Sequence, residues 1–133
     1  MSIPPRLPGL KLATILLAGY FVLWIPLEGN LTQTVLIGVW VALVTAGHLM
    51  QRWLGGRTLG RGRWLLVAAA FGLSLGLGSA ILTLLAMTLK TGLHAHGPEF
   101  TRAEINWALA QLPYWTAAGL LAGLGLGLLF IEK

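Results

Sequence analysis

Four stretches of this chain, residues 12–27, 31–49, 64–89 and 113–131, contain no Asp, Glu, Lys or Arg, and each segment that joins them carries charge. An uncharged apolar run of about 20 residues, wound as a helix, crosses a hydrocarbon layer of about 30 Å. In that layer each backbone polar group must be satisfied within its own segment, which favours helices. The pattern predicts an all-α integral membrane protein: a four-transmembrane-helix bundle forming one membrane domain over 1–133. Composition agrees, since only 10% of residues are charged and the mean hydropathy is +0.80, against about 25% charged in a soluble domain.

The charges that remain set the orientation. Arg6, Lys11, Arg52, Arg57, Arg61, Arg63 and Lys133 fall on one side of the predicted layer, and only Lys90 and Arg102 on the other. Cytoplasmic connections are enriched in Lys and Arg, so both termini are expected in the cytoplasm, in a membrane of the bacterial inner (plasma) type. The same partition explains the net charge of +5 without nucleic acid as a partner. The first run ends in Trp-Ile-Pro-Leu-Glu with no small-residue cleavage site, so it is expected to be a retained helix and not a signal peptide. The third run, about 26 residues at about 1.5 Å each, exceeds the hydrocarbon thickness and must tilt or protrude.

Between the third and fourth runs lies the one sizeable segment expected outside the layer. Thr101 and Glu104 have the spacing of a capping box, in which each side chain satisfies the other residue's backbone N–H. Ile105, Ala108, Leu109 and Leu112 then repeat at helical spacing beside polar Arg102, Asn106 and Gln111. A short interfacial helix over 102–112 follows from that stripe, with Pro113 opening the last span.

Small residues supply the clearest candidates for interaction. Ala68, Gly72, Gly76 and Ala80 recur every four residues in the third run, as do Gly119, Gly123 and Gly127 in the fourth. Lipid tails are as apolar as leucine, so membrane helices associate through close packing, which such rows permit. The two ridges are expected to pack on each other. The alternative is that the ridges receive a partner subunit, and the further small rows Ala70-Ser74-Gly78 and Ala118-Ala122 leave room for both arrangements.

Three further groups carry chemistry. His48 is the only ionisable residue within a run; it is a candidate ligand for haem or a chlorophyll-type pigment, or a donor to a quinone. The competing reading is that His48, close to the arginine-rich loop, reaches the headgroups. Trp40, mid-run, suits a helix contact or a bound lipid or pigment, whereas the tryptophans at 24, 53, 64, 107 and 115 fit interfacial anchoring. His94 and His96, with Glu99, form a candidate zinc or copper site, weighed against a solvated loop.

Absences narrow the function. The chain has no Cys and no Asp, and its four glutamates all lie outside the uncharged runs, so disulfides, thiolate sites and acidic metal clusters for phosphoryl transfer are excluded. No nucleophile, base and orienting acid can be assembled, and no catalytic residue is assigned. An ion-coupled transporter needs an ionisable group near the midplane. The expectation is a small accessory or scaffold subunit in contact with membrane lipids and other membrane protein subunits. The alternatives are a homo-oligomeric channel or carrier for a neutral or lipid-like solute, and a cofactor-binding subunit of an electron-transfer or light-harvesting complex.

Overall fold

The structure, a computed structural model, describes residues 1–131; Glu132 and Lys133, including one of the cations counted above, lie outside the described residues. Those residues form four helices, α1 (Leu10–Trp24), α2 (Leu31–Leu54), α3 (Arg61–Leu93) and α4 (Arg102–Ile131). Three of them, α2, α3 and α4, are long and apolar enough to cross a membrane, and α1 is a shorter apolar helix.

Local chemistry sets the helix ends. The prolines at 4, 5 and 8 keep the N-terminal tail out of helix, and Gly9, with φ 77°, turns the chain into α1. Proline at 26 stops α1 just beyond its last turn. Asn30, in an extended conformation, caps α2 by accepting from the Gln33 N–H at 3.1 Å. α2 and α3 both overrun the segments expected from charge alone, reaching Leu54 and beginning at Arg61. A helix ends where its caps are, whereas an uncharged run ends where the headgroups begin. At about 1.5 Å per residue, α3 is about 50 Å long and extends beyond a hydrocarbon layer of about 30 Å.

Residues 102–112 are helical but are not a separate interfacial helix; they are the first turns of α4, which runs on through Pro113. Proline removes a single N–H, the one that would reach the Leu109 carbonyl, so the helix can continue through it. Gln111 Nε2 donates to the Trp107 carbonyl at 3.1 Å, and the Thr116 hydroxyl donates to that of Leu112 at 2.6 Å. Of the apolar stripe, Ala108 is buried against Met87 and Phe100, while Ile105 and Leu109 stay exposed.

Substantial helix packing is confined to chain neighbours: α3 on α4 most extensively, α2 on α3 next, and α1 on α2 least. The helices therefore form a row. One end of the row, here termed the basic face, gathers the N-terminal tail, the α2–α3 connection and the end of α4. Ile3 N–H donates to the Arg57 carbonyl at 3.0 Å, Gly56 N–H to that of Ile3 at 2.8 Å, and Trp64 Nε1 to that of Gly127 at 2.9 Å. The opposite end, the histidine face, joins the α1–α2 and α3–α4 connections through the bond from Gly29 N–H to Glu99 Oε2.

Candidate functional site

The glycine ridges meet. A Cβ at Gly72 would lie 2.1 Å from the Gly119 carbonyl oxygen, and one at Gly76 would lie 1.9 Å from that of Trp115. From the other side, a Cβ at Gly119 would stand 2.3 Å from the Gly72 oxygen, and one at Gly123 2.3 Å from that of Ala68. Gly127 faces the Ala68 side chain at 2.8 Å on the same construction, beside the Trp64 indole that its carbonyl receives. No side chain fits at these distances, so α3 and α4 touch backbone to backbone. Ala80, the last member of the α3 row, is buried.

The α2–α3 contact has its own glycine, which the spacing analysis passed over. A Cβ on Gly38 would lie 2.3 Å from Thr83 Oγ1 and 3.0 Å from the Ser79 carbonyl. Thr34, Gly38 and Ala42 are all buried at intervals of four, so a small-residue row on α2 was visible in the sequence.

Beyond the internal ridge, the exposed residues Ala118 and Ala122 border a trough of about 350 Å³ between α2 and α4. Val35 and Val39 form one wall, and Gly76, Ser79 and Gly119 also line it.

His48 is exposed, and its Nε2 lies 2.9 Å from the Thr14 hydroxyl on α1. That hydroxyl spends its one hydrogen on the Leu10 carbonyl at 2.8 Å, so it can only accept from His48. Trp40 stacks on Tyr20 of α1, with ring centroids 6.1 Å apart and an interplanar angle of 25°. Both residues thereby join α1 to α2.

At the histidine face, Glu99 is the centre of a polar knot. Its side chain is only 4% exposed; Oε2 accepts from Gly29, while Oε1 lies 3.3 Å from both His94 Nδ1 and His96 Nε2. Neither histidine is aligned for a hydrogen bond to Oε1, and His94 Nδ1 also lies 3.2 Å from the Lys90 carbonyl. Among the described residues, no group of three His, Cys, Asp or Glu side chains is arranged to hold a metal ion. Next to this trio, the Thr101 hydroxyl accepts from Glu104 N–H at 3.2 Å while Thr101 N–H donates to Glu104 Oε2 at 2.7 Å.

Charge counting alone did not reveal Lys90. It is fully buried, its Nζ donates to the carbonyls of Trp24 and Ile25, and it lies over the Trp24 ring. Trp24, expected as an interfacial anchor, is instead fully buried among Ile37 and Ala86. α1 ends at this point, and the lysine covers the ring from above. Comparison of the chain with protein-family models, with curated proteins and with solved structures finds no match to any of them.

Proposed function

We propose that this protein is a non-enzymatic accessory or scaffold subunit of a larger membrane complex, and that a partner helix lies in the trough beside Ala118 and Ala122. The observation that carries this reading is a difference between two small-residue rows. Gly119, Gly123 and Gly127 are spent on α3, yet Ala118 and Ala122, on the adjacent face of α4, remain exposed at the trough. Membrane helices approach where small residues allow backbone contact, so an unfilled small-residue trough suits a further helix.

In this reading α1 is a fourth crossing. Its 15 residues give about 22 Å of helix, and the turn over 25–27 with a snorkelling Lys11 supplies the rest. The basic face lies in the cytoplasm, carrying Arg6, Lys11, Arg52, Arg57, Arg61 and Arg63, and the membrane is of the bacterial inner type. Purification in mild detergent tests the proposal. Foreign subunits retained with the chain support it, a closed homo-oligomer supports the channel or carrier reading, and a visible absorbance band supports a haem or pigment subunit.

A further inference from the structure

A second cavity, independent of the trough, opens between α2 and α3 and runs toward the basic face. It encloses about 260 Å³ and is lined by apolar and small side chains, with Trp53 and Val67 near one end and Ala42 and Leu82 near the other. Along α3 the lining residues Val67, Phe71, Ser74, Gly78 and Leu82 follow one another at steps of three or four, which places them on one helix face. Arg63 stands four residues before Val67 and is the next member of that row.

Arg63 is exposed, as are Arg52, Arg57 and Arg61, and among the described residues none of the four has an ion-pair partner. Arg63 thus continues the lining face of α3 by one turn, and Arg52, Arg57 and Arg61 lie at the same end of the bundle, in the last turn of α2, the α2–α3 connection and the first turn of α3. Trp53, at the same end, is 61% exposed; its amphipathic ring suits a layer that is apolar on one side and wet on the other.

We infer that the groove seats one acyl chain of an anionic phospholipid, with the phosphate held by Arg63 and its neighbouring arginines. Length is consistent with that occupant. From Val67 to Leu82 the groove follows about 22 Å of helix, more than the roughly 15 Å that one leaflet's chains occupy. Charge selects the headgroup. A net-negative headgroup leaves the arginines compensated, whereas a zwitterionic one brings its own ammonium and gains less from them. Ser74 and Ala70 are small and exposed within the groove, which leaves space for a chain without moving α2 from α3.

The test uses the full chain in maltoside micelles, titrated with phosphatidylglycerol or with phosphatidylcholine of identical acyl chains. Native mass spectrometry reads the bound lipid, and thermal unfolding without lipid verifies that each variant is folded. One retained phosphatidylglycerol per chain is expected, with little phosphatidylcholine. Arg63→Gln should weaken retention about fivefold by removing one headgroup charge. Ser74→Trp should abolish retention by filling the groove. Because both positions are exposed, both variants should unfold within a few degrees of the parent. Equal retention of the two lipids overturns the inference. So does a Ser74→Trp variant that still holds phosphatidylglycerol, which would leave headgroup attraction without a seat. An Arg63→Gln variant with unchanged retention also overturns it, as would be expected of a greasy groove blind to charge.

Discussion

The Lys90 ammonium lies 4.4 Å from the centre of the Trp24 ring and donates to the carbonyls of Trp24 and Ile25, so one side chain of α3 closes the C-terminal end of α1. The Trp24 carbonyl also accepts from the Leu27 N–H at 3.2 Å, and a cation at this end opposes the helix dipole. α1 has the least extensive packing of the four helices, so this contact matters for its position. Lys90→Met should keep the apolar stem and remove the charge, lowering stability by about 2 kcal/mol. Reversible unfolding in mixed micelles, followed by far-ultraviolet circular dichroism, measures the effect. A change confined to a few tenths would show that lipid or water caps α1 equally well.

Glu99 ties the two connections of the histidine face, while the histidines lie against it without aligned hydrogen bonds. Glu99→Ala leaves the Gly29 N–H without its charged acceptor and should cost about 1.5–3 kcal/mol. His94→Ala combined with His96→Ala should cost less than about 1 kcal/mol, because neither ring is fully buried. Thr101→Ala, which removes the cap of α4, should cost about 1 kcal/mol. Zinc or copper titration of the parent and of the double histidine variant belongs to the same experiment. Tight stoichiometric binding lost in the double variant would turn the trio into a metal site.

The paired connections also fix what labelling should find. The α2–α3 connection and the loop between α3 and α4 lie at opposite ends of α3, a helix of 33 residues. Single cysteines at Arg57 and Gly97 should therefore react with an impermeant thiol reagent from opposite sides of the membrane, Gly97→Cys from outside. Labelling of both from one side would end the four-crossing arrangement.

Some of this architecture was legible because its causes are local. Each uncharged run falls largely within one helix, although every helix also takes in charged residues beyond its run, and the Thr101 and Glu104 bonds span only three residues, within reach of a spacing rule. What escaped depends on tertiary proximity. Lys90 reads as one of two charges on the sparse side until α1 is found to end beneath it, 66 residues away in sequence. The extension of α4 through Pro113 was missed because a proline was read as an opening residue, whereas it takes a single donor from a helix and does not by itself end it. The N-terminal tail, rich in proline, gave no sign that Ile3 would be buried and paired with the α2–α3 connection. The Gly38 contact could have been found, since Thr34, Gly38 and Ala42 share the interval used to find the other rows.

His48 and Thr14 form an exposed contact between α2 and α1. His48→Leu should cost less than about 1 kcal/mol, since a single exposed hydrogen bond is lost, and insertion should be unaffected. If a haem or pigment binds there, the same variant should lose a visible absorbance band from the purified complex.

The function reading turns on two adjacent faces of α4, and one pair of substitutions separates them. At Gly123 a Cβ would meet the Ala68 carbonyl at 2.3 Å and the Gly72 Cα at 3.0 Å, so Gly123→Ile must push α3 and α4 apart along their whole contact. Packing, not burial from water, holds membrane helices together, so that separation should unfold or loosen the isolated chain. Ala122 is the preceding residue in sequence but is exposed at the trough. Ala122→Ile should leave the isolated chain within about 0.5 kcal/mol of the parent, as surface changes usually do, while obstructing a partner helix. Thermal stability of the isolated chain and retention of co-purifying subunits should be read on both variants. Loss of stability in Gly123→Ile with loss of partners alone in Ala122→Ile supports the trough as the docking face. Partners retained by Ala122→Ile would remove the trough from the argument and leave the scaffold reading without its main support.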